Sequence, residues 1–461
     1  EVKTAVYVLH PALLAANLLM MAMLARRVGN GSWLAAVICA AASALSVEVL
    51  AGHAMLISEP LFITLMLSGL LLLERAVRKQ KLPMLIVSAL LLGLAWLTRY
   101  AGVGVIAAAG GFMLWSWRGA LKRRLIAAAL FGVVSALPMF LWLGWGYLQT
   151  RSVANRTFQW RPVSTETLQT GYQTLGHWLL PYDTFAGPHL AIAAIIHAIL
   201  IIGAMVWLLP GKGVDRAKSR RTGMLLMLVG VGYLSGLLFS LAYVDSYTPL
   251  DRRTLLPAQA LILPILCGAF VSMIARAPVP LSRRVPIAAA AIIVLLLRLP
   301  PAAEWVQSAT QSQLGYTSTV WRQSPVMKAA QALPGSWYIY SNKIDAVYAC
   351  TGRNGSPLPR KFNPTDRQPF TRLTTHLKRM RSVSESKTLV IVLIYRRGLD
   401  HIVGPTELSP YFRMKTIGNF PDGRILRLVP RPALPDDVPN PATVPSAGEN
   451  AGEDQNALER N

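Results

Sequence analysis

The sequence predicts a mainly α-helical polytopic membrane protein with about ten spans, followed by a small extracytoplasmic α/β domain and a disordered tail. Three observations lead there. Hydrophobic residues make up 53% of the 461 residues and charged residues only 15%, a balance that soluble domains do not show. The apolar residues come in runs of about twenty, the length that crosses a hydrocarbon core. The lysines and arginines behind the net charge of +24 gather between those runs, as orientation signals do in multi-pass proteins. Their placement points to membrane lipids as partners and away from nucleic acid.

In chain order the spans read as 6–24, 33–52, 60–73, 83–97, 101–117, 125–148, 189–209, 222–243, 254–274 and 285–299. Several are short for a full crossing, so tilt or extension is expected. Arg26-Arg27, the 75–81 basic run, Arg118 with Lys122-Arg123-Arg124, the 212–221 run, and Arg276 with Arg283-Arg284 alternate strictly with the other connections. Glu74 and Asp215 are the acids among them. That bias assigns these five connections to the cytoplasm and both chain ends to the outside. The outer side then receives the 53–59 corner, the Thr98-Arg99-Tyr100 junction, the aromatic-rich 149–188 loop and 244–253.

After Pro300-Pro301 the pattern changes. Segments 337–341, 388–394 and 424–429 read as strands, the last alternating as an edge strand would. Segments 326–333 and 370–380 read as helices. The domains are therefore 1–300 in the membrane, 301–430 as an α/β domain outside it, and 431–461 as a tail too rich in Pro, Asp, Asn and Glu to fold. Cys39, Cys267 and Cys350 offer no metal spacing and imply no disulfide framework. Asn155-Arg156-Thr157 matches a glycosylation sequon, a match that arises readily by chance.

Chemistry is sought where charge sits at a span boundary, because ionisable groups there are costly to keep. In Ser58-Glu59-Pro60, Ser58 reads as an N-cap, Glu59 as a first-turn acid facing water, and Pro60 as a first-turn proline. Glu59 is the catalytic candidate; a helix-start acid is the competing reading. Glu48, one turn inside the preceding span, and His53 complete an acid–His–acid set, Glu48/His53/Glu59, that is a candidate for a divalent cation without fixed ligand spacing. An interfacial histidine with satisfied hydrogen bonds is the competing reading for His53. Arg99 breaks the charge bias on the outer side, with Tyr100 beside it, and Asp251-Arg252-Arg253 breaks it again. A guanidinium fork suits a phosphate, so these residues are candidates for a lipid-phosphate site; snorkelling and ordinary headgroup contact compete. No nucleotide-cradling loop is found, since Gly29-Asn30-Gly31 and Gly211-Lys212-Gly213 fit neither fingerprint. No nucleotide cofactor is expected.

Ile57-Ser58-Glu59-Pro60-Leu61-Phe62, Gly93-Leu94-Ala95-Trp96-Leu97-Thr98-Arg99-Tyr100 and Asp251-Arg252-Arg253-Thr254-Leu255-Leu256-Pro257 resemble the multi-pass GT-C glycosyltransferases. The likeness is to the branch holding protein mannosyltransferases, the aminoarabinose transferase of lipid A and related bacterial enzymes. It covers roughly 1–300 and rests on order and topology more than identity. It implies an inverting transfer of a sugar from a polyprenyl-phosphate carrier to a glycan, lipid or protein acceptor on the outer face of the inner membrane. Glu59 corresponds to the family's second-loop acid, which in some members helps hold a metal. Arg99 corresponds to the basic residue after the Gly-Leu-Ala run, and Arg252 or Arg253 to the late arginine before Leu-Leu-Pro. The family's first span and first outer loop, with its principal acid, fall before residue 1. Either this sequence is a piece of a longer chain, or the protein does without that acid. A lipid or solute transporter and a non-catalytic scaffold are the rival functions; the absence of a repeat between the halves weighs against transport.

Overall fold

The computed structural model describes residues 2–55, 57–150, 158–179, 188–208, 214–245, 248–276, 289, 292–362, 369–370, 372–395 and 401–432. The sequon, the 431–461 tail beyond residue 432, Glu1, Tyr182 and the first part of the tenth expected span lie outside them. The chain divides into two compact units, Glu1–Ser308 and Ala309–Asn461.

The first unit is entirely helical among its described residues: α1 (Val2–Val28), α2 (Trp33–Ala44), α3 (Val47–Ala54), α4 (Glu59–Lys79), α5 (Leu82–Thr98), α6 (Gly102–Ser116), α7 (Leu121–Thr150), α8 (Thr165–His177), α9 (Pro188–Leu208), α10 (Val214–Tyr243), α11 (Leu256–Arg276) and α12 (Leu299–Ser312), which runs on past the unit's end. Among the described residues six helices are long and apolar enough to cross a membrane, one of them over Ile292–Ser312, or seven if the bent α2–α3 pair counts as one span. Shorter apolar helices stand at Leu82–Thr98, Gly102–Ser116 and Pro188–Ala204. The polytopic, mainly α reading holds. The second expected span, however, is broken by 63° between α2 and α3. The Ser46 hydroxyl starts a new helix there by accepting the Val49 N–H at 3.5 Å, the usual role of an N-cap serine.

Two further differences have physical causes. The basic 214–221 segment, expected in a loop, forms the first turns of α10, as Arg26-Arg27 and Arg78-Lys79 form the last turns of α1 and α4. Lys and Arg propagate a helix well, so a charge run does not end one. The long 149–188 connection holds α8, capped by Ser164, whose hydroxyl accepts from Thr167 N at 3.1 Å.

In lipid, close helix packing depends on small residues. Gly232 and Gly236 of α10 face Gly104 of α6: a Cβ built on Gly232 would stand 2.4 Å from the Gly104 carbonyl oxygen, and one on Gly104 only 2.0 Å from that of Gly232. The seam fixes the neighbouring Tyr233, which is fully buried.

The second unit is an α/β sandwich with strand order β2-β1-β3-β5-β4. Its strands are β1 (Tyr338–Ser341), β2 (Gly355–Pro357), β3 (Leu389–Ile394), β4 (Phe412–Phe420) and β5 (Gly423–Pro430). Its helices are α13 (Thr319–Gln323), α14 (Pro325–Gln331), α15 (Ile344–Thr351), α16 (Leu373–Ser386) and α17 (Pro405–Leu408). β3 is apolar on both faces: Leu389 and Ile391 join Leu377 and Met380 of α16 in one core, while Val390 and Val392 join Val326 of α14 and Val347 of α15 in the other. β5 is not the expected edge. It lies between β3 and β4, antiparallel to both. The polar look of β4 hid the true edge strand, because one side of an edge strand can face water.

Candidate functional site

Three helix ends converge at one end of the first unit: the start of α4, the end of α5 and the turn before α11. Glu59 opens α4. Contrary to its expected water-facing position, its side chain is 2% exposed. Arg99, the C-cap residue of α5, donates Nη1 to Glu59 Oε1 and is itself 12% exposed. Arg253 brings its Nε to the same oxygen at 2.9 Å but keeps 53% of its side chain exposed. Burying a carboxylate without partners is expensive; two guanidiniums on one oxygen explain why it is inside. The remaining oxygen, Oε2, has the Ser58 hydroxyl at 3.4 Å. Ser58 stands at the N-cap position, yet its hydroxyl makes no cap bond to the helix.

The turn carrying Arg253 is built by Asp251. Its Oδ1 accepts the N–H of Arg253 at 3.1 Å and of Thr254 at 2.9 Å, so Asp251 shapes the loop. Arg252 is half-buried on the same turn, and Tyr100 is exposed beside Arg99. The Tyr233 hydroxyl donates to the Thr254 carbonyl at 2.6 Å, and its ring meets Phe62 of α4 with centroids 5.8 Å apart. The structure thus joins Glu59, Arg99, Arg253 and Asp251 into one cluster, with Tyr233 as a member that sequence reasoning missed. Its position straight after the first glycine of Gly232-Tyr233-Leu234-Ser235-Gly236 was the available signal.

The remaining candidates are employed elsewhere. Ser46 Oγ donates to Glu48 Oε2 at 2.8 Å and accepts from Gln259 Nε2 at 3.1 Å. His53 Nδ1 donates to the Val49 carbonyl at 2.8 Å, and Nε2 accepts from Asn17 Nδ2 at 2.9 Å. Asn17 also donates to the Pro60 carbonyl and accepts from Thr64, tying α1 to α4, and His10 Nδ1 bonds the His53 carbonyl. His10 and Asn17 escaped the sequence reading because the pairing spans some forty residues. Among the described residues no group of three or more His, Cys, Asp or Glu is placed to hold a metal ion. A divalent cation does not fit the Glu48/His53/Glu59 set: the imidazole lone pair is committed to Asn17, and a cation at Glu59 would face two arginines.

Residues 2–145 match the family model described as dolichyl-phosphate-mannose-protein mannosyltransferase, bearing out the resemblance to GT-C membrane glycosyltransferases. The matched stretch contains Glu59 and Arg99 but stops before Asp251-Arg252-Arg253. A crystal structure of ArnT from Cupriavidus metallidurans in the apo state is similar at 12% identity, with a TM-score of 0.35, covering 91% of this chain and 83% of that one. No curated protein matches the sequence.

Proposed function

We propose that this chain is an integral-membrane glycosyltransferase that moves a sugar from a polyprenyl-phosphate carrier to an acceptor hydroxyl. The observation that carries the reading is the buried Glu59 carboxylate holding two arginines at a helix-end cluster, within and beyond the family match. In this reading the acceptor oxygen attacks the anomeric carbon from the face opposite the phosphate, the bond to the phosphate breaks, and the configuration inverts. Negative charge grows on the departing lipid phosphate, and guanidiniums already held in place are the groups suited to stabilise it. Arg253, half exposed, meets the phosphate first. Arg99, nearly buried, supplies a second donor fork. Glu59 acts as a positioning residue through Oε1, keeping both cations in register, while Asp251 and Tyr233 hold the backbone that carries Arg253. The proton released by the acceptor hydroxyl passes to Glu59 Oε2, the oxygen that the arginines do not touch.

The basic ends of α1, α4 and α7 support a cytoplasmic location for that side of the bundle. The Glu59 cluster, at the opposite end of α4 from those basic turns, then falls on the extracytoplasmic face of the inner (plasma) membrane. The test is transfer of labelled sugar from polyprenyl-phosphate donors to candidate acceptors by purified protein in proteoliposomes. Glu59→Gln and Arg99→Ala are expected to abolish transfer. Arg253→Gln is expected to raise the donor KM more than it lowers kcat, the signature of lost ground-state binding. Normal turnover in all three variants would remove the site assignment.

A further inference from the structure

A cavity of about 700 Å³ lies at the other end of α4. Fifteen residues separate Glu74 from Glu59, so at 1.5 Å per residue the two acids stand about 22 Å apart along the helix. The cavity is therefore separate from the proposed transfer site, and nothing below depends on that reading. Its lining includes Arg26 and Arg27 at the end of α1, Asn30 and Gly31 in the following turn, and Glu74 and Arg78 near the end of α4.

The charges do not balance. Arg27 Nη1 donates to Glu74 Oε2 at 2.7 Å, and Arg78 Nε stands 4.0 Å from Glu74 Oε1. One carboxylate thus serves two guanidiniums, and no second acid stands among the cavity's lining residues for Arg26. Arg26 is held by other means: its Nε donates to the Gly31 carbonyl at 3.1 Å and its guanidinium lies 3.8 Å from the Trp33 ring centroid. Of five guanidinium donors that bond uses one. The C-terminal ends of α1 and α4 oppose an anion with roughly half a negative charge each. Three guanidiniums against one carboxylate still leave the lining positive. A cavity of this size is in the range of small-ligand pockets, and basic pockets at helix ends are where phosphate headgroups bind.

We propose that this cavity binds a phosphate-bearing anion, either the headgroup of an anionic phospholipid or free phosphate, with Arg26 and Arg78 as its principal donors and the Arg27–Glu74 pair as its fixed wall. The probe is full-length protein in nanodiscs of mixed phosphatidylglycerol and phosphatidylcholine, with co-purifying lipid quantified by mass spectrometry. A second arm titrates inorganic phosphate into phosphatidylcholine nanodiscs and follows the melting temperature. A lipid site predicts that R26Q/R78Q lowers the phosphatidylglycerol preference about tenfold, whereas K122Q/R123Q, equal in charge but outside the cavity, leaves it intact. A free-phosphate site predicts stabilisation by phosphate in the wild type that R26Q/R78Q removes. The proposal is overturned if R26Q/R78Q behaves as wild type in both arms, or if K122Q/R123Q loses as much, which is ordinary annular attraction. Should the double variant fail to fold, R78Q alone, at a half-exposed side chain, is expected to weaken binding in the same arm, and wild-type behaviour of R78Q in both arms then overturns the proposal.

Discussion

Helix α4 carries an acid near each end, and the two are built differently. Glu59 sits in the first turn, where the helix dipole favours it, and is buried against Arg99 and Arg253. Glu74 sits one turn from the C-terminus, where the dipole opposes it, and meets Arg27 and Arg78, which are 27% and 46% exposed. At the first end one carboxylate gathers the arginines into a cluster anchored by Asp251 and Tyr233. At the second end they line an open cavity. The same residue types give a tight assembly where Arg99 and Arg253 share one buried carboxylate oxygen, and a pocket where partly solvated Arg27 and Arg78 approach different oxygens of Glu74.

The largest expected effect separates the ends by burial. Glu59→Ala strands Arg99 as a nearly buried, unpartnered charge and is expected to destabilise by about 3–5 kcal/mol. Glu74 is also buried, at 7% exposed, but Glu74→Ala leaves behind arginines that water already reaches, and a smaller cost of about 1 kcal/mol is expected. Thermal denaturation in detergent measures both, and equal losses would break the comparison.

Next comes the seam that supports the first end. Gly232→Ala brings a methyl 2.4 Å from the Gly104 carbonyl oxygen, and rigid backbone cannot yield as a flexible side chain would. Overpacking of about 1–3 kcal/mol is expected, with a matching fall in transfer because Tyr233 shifts; the cavity at the second end is expected to keep its lipid preference. Asp251→Ala removes the acceptor for two backbone N–H groups. A cost near that of a lost helix cap is expected, about 1 kcal/mol, seen as a higher donor KM rather than as unfolding.

The smallest effect lies in the α/β unit. Burial pushes the Cys350 thiol above its usual value of 9.0, and Sγ contacts the Tyr316 carbonyl at 3.6 Å. A raised value means less thiolate at a given pH, so alkylation at pH 8 is expected to lag behind a free thiol and to catch up only as the pH climbs. Alkylation at the free-thiol rate would contradict this.

The apolar runs, the charge bias and the three strand-like segments were legible because each is a local pattern. Burial of Glu59 was not, because its cause lies 40 residues away at Arg99 and farther still at Arg253. The break at Ser46 was hidden inside a continuous apolar run; the cap bond from the Val49 N–H to the Ser46 hydroxyl exposes it. β4 was missed because Phe412–Phe420 alternates weakly and mixes Arg, Lys and Asn. The site was therefore readable as a set of misplaced charges, and not as a geometry.

Everything proposed for the first end requires that Arg99 and Arg253, held by Glu59, bind the carrier phosphate. Equilibrium binding of a sugar-free polyprenyl phosphate to wild type and to Arg253→Gln, in neutral-lipid nanodiscs, measures this without any acceptor or turnover. Arg253 is half exposed, so its loss spares the fold. Arg253→Gln is expected to weaken binding about tenfold, as losing a charged hydrogen bond does, while R26Q/R78Q at the far end binds as wild type. Unchanged affinity in Arg253→Gln, or an equal loss in R26Q/R78Q, would contradict that assignment.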